Sequence, residues 1–187
     1  MKYSLPREGF INGRCSSLLT FFDLLLLSYF PIMIFCTIGT QAPFDRFVKI
    51  IDEVAAHLDE EIIAQVYKSE YVAQNIRTVE FLPPDEFNKL FSKARLIVAH
   101  AGMGTIISAM RQHKPIIIFP RIAAWGEHRN EHQLATAQKM KELGYVYVAT
   151  DVKELKELLT TRNLKPLHDL GDIASKSLID ELCKVIG

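Results

Sequence analysis

From residue 33 onward the chain alternates between two hydrophobic patterns. Short apolar-rich runs occur at 33–38, 61–66, 78–82, 96–99, 115–119 and 145–148. They read as strands, and those that are apolar throughout read as strands covered on both faces. Between them, apolar positions recur every three or four residues. Phe44, Phe47, Val48 and Ile51 share one face of a predicted helix, with Asp45, Arg46, Lys49, Asp52 and Glu53 opposite. Pro83-Pro84 precede a helix marked by Phe87, Leu90, Phe91 and Ala94. Another helix opens at 102–105 and runs to about Gln112. Pro120 closes the fifth strand, a loop covers 121–129, and a helix is predicted from Asn130 to about Leu143, with Gly144 as its C-cap. A helix over 152–159, a linker-like stretch over 160–171 and an amphipathic helix carrying Ile173, Leu178, Leu182 and Val185 complete the chain.

Strands alternating with helices pair in parallel, because each crossover helix returns the chain to the same end of the sheet. The fold class expected is therefore α/β: a single doubly wound, Rossmann-like parallel sheet with helices on both faces, over residues 33–159. Residues 160–187 are expected to form a linker and a C-terminal helix.

Residues 1–32 read differently. From Leu18 to Cys36 there are nineteen residues with one charge, Asp23, close to the length a membrane-spanning helix needs. Asp23 is costly at mid-membrane, Pro31 interrupts the run, and residues 33–38 are needed as a strand. No small-x-small cleavage site follows the run, which argues against a secretory leader. Three readings stay open for 1–32: an extension from an upstream start with Met33 as initiator, a membrane-surface anchor, or a true span.

Composition narrows the function classes. The 187 residues are 49% hydrophobic and 24% charged, with 22 Lys+Arg against 22 Asp+Glu. A net charge of zero lacks the basic footprint of a nucleic-acid binder. Three scattered cysteines, Cys15, Cys36 and Cys183, give neither a disulfide framework nor a zinc knuckle.

In a sheet of this class, ligands bind beyond the carboxyl ends of the strands. The first strand delivers Gly39, Thr40 and Gln41 there. The fourth delivers His100-Ala101-Gly102-Met103-Gly104-Thr105, in which glycines at a strand-to-helix turn let backbone N–H groups approach an anion. The same two glycines would also serve as nothing more than a tight turn. The fifth strand delivers Arg121, a candidate for favouring an acidic ligand, and Trp125, a candidate for stacking or for anchoring its loop. Glu127 and His128 precede Asn130-Glu131-His132-Gln133. Glu131 and Gln133 suit sugar hydroxyls, whereas the bland reading is a solvated helix start with Asn130 as N-cap. His128-Arg129-Asn130-Glu131-His132 also matches the H-x-x-E-H zinc motif, but a cap at Asn130 would part the two histidines, and no metal is expected.

The run VAHAGMGTIISAMRQHKPIIIFPR, the GEHRNEHQ that follows it and the opening FCTIGTQAPFDRFVKIIDEV together resemble the family 28 C-terminal domain of glycosyltransferases, the donor-binding half of the GT-B fold. Within it they are most similar to the small catalytic subunits of two-component bacterial capsule and exopolysaccharide transferases. Those subunits are themselves related to the catalytic subunit of the dolichol-linked N-acetylglucosamine transferase. The resemblance implies an inverting, UDP-sugar-dependent hexosyltransferase without cofactor or metal. Gly39 and Thr40 would line the cleft floor, and His100, Gly102, Met103, Gly104 and Thr105 would hold the diphosphate. Glu131 and Gln133, with Glu127 and His128, would face the sugar or ribose. Many relatives carry a Glu eight residues after the motif His; here that position is Ser108. The catalytic base is not assigned, with His128 a candidate and the partner's half an alternative source. The resemblance further implies a polyprenyl-diphosphate-linked acceptor, a membrane-anchored partner that supplies the other GT-B half, and a cytoplasmic location at the inner face of the cell membrane. A non-catalytic nucleotide-sugar-binding scaffold subunit is the alternative.

Overall fold

The structure, a computed structural model, describes residues 33–168. The readings of 1–32 and of the helix through Ile173 and Val185 lie outside the described residues. Six parallel strands form one sheet: β1 Met33–Thr37, β2 Glu61–Gln65, β3 Arg77–Val79, β4 Leu96–His100, β5 Ile116–Phe119 and β6 Tyr147–Val148. The helices are α1 Asp45–Ala55, α2 Pro84–Lys93, α3 Met103–Arg111, α4 His132–Glu142 and α5 Val152–Thr160, with a 3-10 turn at Ala123–Trp125. Among the described residues, no helix is long and apolar enough to cross a membrane.

Strand order is β3-β2-β1-β4-β5-β6, the doubly wound order in which the chain reverses direction across the sheet between β1 and β4. Register places Phe35 beside Ile97 and Thr37 beside Ala99. Alternate strand residues point to opposite faces. Ile34, Cys36, Ile62, Ala64, Val98 and Ile117 pack against α1 and α5 through Phe47, Ile51, Leu155 and Leu159. Met33, Phe35, Ile63, Ile97, Ala99, Ile116 and Ile118 pack against Phe91 of α2, Ile106 and Ala109 of α3 and Ala137 of α4. Both faces are therefore apolar and covered, which is why strands such as β1 and β5 are apolar without alternation. Phe35, Phe47, Phe91 and Phe119 are all wholly buried, each worth about 2–3 kcal/mol of hydrophobic stabilisation.

Three boundaries differ from expectation. The third strand ends at Val79; beyond it Leu82 is buried, and its N–H donates to Gln65 Oε1 at 3.0 Å, a side-chain contact in place of the ladder. The last strand keeps only Tyr147–Val148. Helix α4 starts at His132, two residues after Asn130. The stretch after α5 is extended and returns to the sheet edge: Tyr147 Oη donates to the Lys165 carbonyl at 3.1 Å, and the His168 ring stacks on Tyr145.

Candidate functional site

The crossover reversal leaves a gap at the carboxyl ends of β1 and β4, where the connections to α1 and α3 diverge. A cavity of about 400 Å³ opens there, within the range of small-molecule sites. Gly39, Thr40 and Gln41 line it from the β1 side, and His100, Ala101, Gly102, Met103, Gly104 and Thr105 from the β4 side. His128, His132, Gln133 and Thr136 close it.

Helix α3 supplies the floor. Gly102 is its N-cap and no side chain caps its first turn, so the N–H groups at the start of the helix have no intrahelical partner. They are carried by residues that line the cavity. The aligned peptide dipoles add a partial positive charge at this end.

His100 stands between two glycines. A Cβ at Gly39 would come within 2.7 Å of its Cε1, and one at Gly102 would collide with its Nε2. Gly39 also has φ +76°, a left-handed conformation that L side chains disfavour. Both glycines are thus required by the ring as well as by the turn. Nδ1 is fully buried with no partner in good hydrogen-bond geometry, although the Thr37 backbone lies close enough to oppose part of the pKa shift. Burial, reinforced by the nearby Arg121 charge, pushes the imidazole pKa down to about 4. At neutral pH the ring is uncharged, with Nε2 on the glycine-lined side.

Arg121 is 2% exposed. Its Nη1 donates to the carbonyls of Pro43 (2.6 Å) and Glu127 (3.2 Å), and its Nη2 to those of Ile38 (2.9 Å) and Ala42 (2.7 Å). The guanidinium carbon also lies 4.5 Å from the Phe44 ring centroid. Burial pulls its pKa down to about 10, opposed by Glu127, so it stays protonated at neutral pH. The expectation that Arg121 selects an acidic ligand is corrected here: both terminal nitrogens are spent on backbone carbonyls.

Glu127 is likewise committed elsewhere. Its carboxylate accepts from Arg46 Nε (2.6 Å) and Nη2 (2.9 Å) and from the Ile122 N–H (2.8 Å). Arg46 in turn lies over Phe119 and Trp125, so Trp125 covers an ion pair and anchors its loop. Glu127 does not line the 400 Å³ cavity. Its residue borders a second cavity of about 340 Å³, with Gln41, Ala42, His128 and Arg129.

Glu131 is exposed and lines neither cavity. Gln133 is buried, and its Oε1 accepts the Arg121 N–H at 3.2 Å, which leaves its amide N–H groups as the donors toward the cavity. His128 borders both cavities. Its Nδ1 lies 3.0 Å from both the carbonyl and the Oδ1 of Asn130. The Asn130 backbone nitrogen also lies 3.4 Å from the same ring nitrogen, so the Asn130 backbone and side chain together fix the orientation of the ring. Asn130 Oδ1 also accepts the His132 N–H at 3.3 Å, but the N-cap position falls to Glu131, whose side chain makes no capping bond, so the expectation of Asn130 as N-cap is corrected. His128 therefore precedes the helix and His132 begins it, which removes the single helical face that the zinc motif needs. Ser108 lies half-buried on α3.

The structure thus brings Gly39, Thr40, His100, Gly102, Met103, Gly104, Thr105, His128 and Gln133 together around one cavity and does not bring Glu127 or Glu131 to it. The sequence reading missed His132 and Thr136 as lining residues. Spacing alone held that signal, since 132, 133 and 136 share one face of a helix beginning at 132.

Against known proteins, the model of the glycosyltransferase family 28 C-terminal domain matches residues 33–179. The chain belongs to that family. It is 30% identical over 134 residues to the UDP-N-acetylglucosamine transferase subunit ALG13 of Eremothecium gossypii, which covers 69% of this chain and 64% of that protein. The chain thus spans just under two thirds of that relative's length. A solution structure of ALG13 superposes with a TM-score of 0.53 at 20% identity, covering 81% of this chain and 94% of that one. Spinosyn forosaminyltransferase SpnP superposes with a TM-score of 0.52 at 21% identity, over 69% of this chain but only 34% of that one. The fold is therefore that of the C-terminal half of GT-B glycosyltransferases.

Proposed function

We propose that this chain is the donor-binding, catalytic subunit of an inverting glycosyltransferase that moves a hexose-type sugar from a UDP-sugar to a polyprenyl-diphosphate-linked acceptor. The observation that carries the reading is the uncapped N-terminus of α3 beside His100, opening at the β1/β4 switch point into a cavity faced by the Gln133 amide. Preorganised N–H donors and a helix dipole suit a diphosphate, and most of all the charge that develops on it as the sugar leaves. A general base, His128 or a group of the partner half, takes the proton of the acceptor hydroxyl as its oxygen attacks the anomeric carbon, the bond to the β-phosphate oxygen breaks with its electron pair onto the departing UDP, and the configuration inverts. His100 holds a phosphate oxygen by its Nε2–H, adding no permanent charge in the free state.

The other GT-B half comes from a membrane-anchored partner subunit, which holds this chain at the cytoplasmic face of the membrane in capsule or exopolysaccharide synthesis. Membership of the family and the likeness to a subunit of a UDP-N-acetylglucosamine transferase support this reading. Glucose, galactose, glucuronate and N-acetylglucosamine remain the candidate sugars. The test is thermal unfolding of the full chain with UDP and these four UDP-sugars, with GDP- and dTDP-sugars as controls. At least one uridine diphosphate species is expected to raise the melting temperature by about 3–6 °C at 1 mM, taken as roughly a tenfold excess over Kd. No shift with any of them overturns the reading.

A further inference from the structure

Arg121 carries more than a loop contact. Its guanidinium is buried and has no carboxylate partner, since the Glu127 carboxylate is taken up by Arg46 and Arg121 meets only the Glu127 carbonyl. The four carbonyls it holds belong to two different walls of the cleft: Ile38, Ala42 and Pro43 on the β1 side, and Glu127 on the β5 side. Ile38 directly precedes Gly39, and Glu127 directly precedes His128. Its own N–H holds Gln133. Three residues that line the 400 Å³ cavity are therefore positioned, directly or through a neighbour, by this one side chain. The Glu127 carboxylate, though hydrogen-bonded to Arg46, offsets part of the buried Arg121 charge, yet the remaining field still reaches His100.

We propose that Arg121 is the positioning residue of this cleft, which clamps its two walls and supplies the buried positive charge against which the donor's diphosphate binds, without touching the donor. The inference rests on the functional reading above. It makes an otherwise costly arrangement intelligible: the free protein holds a buried charge that no carboxylate touches directly, and an anion entering the cleft relieves it. A lysine keeps the charge but not the planar fork that serves four carbonyls. Glutamine loses both.

The test is calorimetric titration of the full chain with UDP, alongside thermal unfolding. Variants are Arg121→Lys, Arg121→Gln and, as a control, Arg95→Gln, which breaks the half-buried Arg95–Glu60 pair at the amino-terminal end of β4. Expected are a UDP Kd about fivefold weaker for Arg121→Lys, at least fiftyfold weaker for Arg121→Gln, and unchanged for Arg95→Gln despite a lowered melting temperature. A Kd for Arg121→Gln within threefold of the parent overturns the proposal, as does Arg121→Lys binding no better than Arg121→Gln. Should Arg121→Gln fail to unfold cooperatively, Arg121→Lys decides alone, and a Kd equal to the parent's overturns the proposal. A parent chain that folds but does not bind UDP refutes the functional reading itself, which these comparisons between variants would not.

Discussion

His100 shows how much a single side chain can carry in a cleft of this kind. In the unfolded chain its imidazole titrates near 6.5, and in the fold it titrates near 4. Between those values the unfolded state binds a proton that the folded state refuses, so stability falls as pH falls through this window. The full shift corresponds to roughly 3 kcal/mol, all of it present above pH 7 and largely lost by pH 4.5. Urea unfolding at pH 7 and pH 4.5 is expected to show His100→Gln losing about 2 kcal/mol less than the parent over that interval. Equal losses would mean that the ring is not held neutral. The sequence pointed to His100 as a diphosphate ligand ahead of two glycines, but its burial and the shift that follows were not legible there. The glycines signalled close approach, but that they enclose the imidazole depends on Gly39 and Gly102 meeting from strands 60 residues apart in the chain.

At the scale of an element, α3 separates structural from functional glycine. A side chain at Gly102 would meet the buried His100 ring, whereas one at Gly104 meets nothing within 4 Å. Gly104 lies in the first turn of the helix, where alanine is favoured over glycine by about 0.5–1 kcal/mol. Gly104→Ala is therefore expected to raise stability in chemical denaturation by up to that amount while weakening UDP binding about tenfold, because the added methyl occupies the approach of the diphosphate. A variant that gains stability and keeps its affinity would place the anion elsewhere. Helix periodicity and strand runs were readable because local spacing encodes them. The start of α4 was misplaced because the Asn130 side chain closes a local turn with His128 and the His132 N–H instead of capping the helix, which begins after Glu131. Glu127 was misread because its partner, Arg46, lies 81 residues away, and a distant countercharge leaves no local trace.

Across the molecule, α1 ties together the connections that surround the cleft. Arg46 holds the loop after β5 through Glu127 and the Pro120 carbonyl. On the other side, Asp45 accepts from Ser69 Oγ at 2.6 Å, and Asp52 accepts from Tyr71 Oη and the N–H groups of Gln74, Asn75 and Ile76. Asp52 is 1% exposed, so its charge is sustained only by those donors. Charge-assisted hydrogen bonds of this kind contribute about 1.5–3 kcal/mol each at most, and replacement by water recovers part of that. Asp52→Ala is expected to cost about 2–4 kcal/mol in urea unfolding and to raise amide hydrogen exchange over residues 66–76, leaving the central strands β4 and β5 protected. Uniform loss of protection would mean instead that the fold opens as one unit. The parallel order of the sheet followed from the strand–helix alternation, but this anchoring did not, because it joins residues 19 to 24 apart through a loop of no regular pattern.

The sheet tapers at both sides, to the three residues of Arg77–Val79 and the two of Tyr147–Val148. Margins this brief offer too few free backbone groups to template a neighbouring chain. On the function proposed above, a partner subunit grips this chain through helix surfaces and the loops at the mouth of the cleft, and such joints open and reseal as a sugar nucleotide enters and a spent one departs.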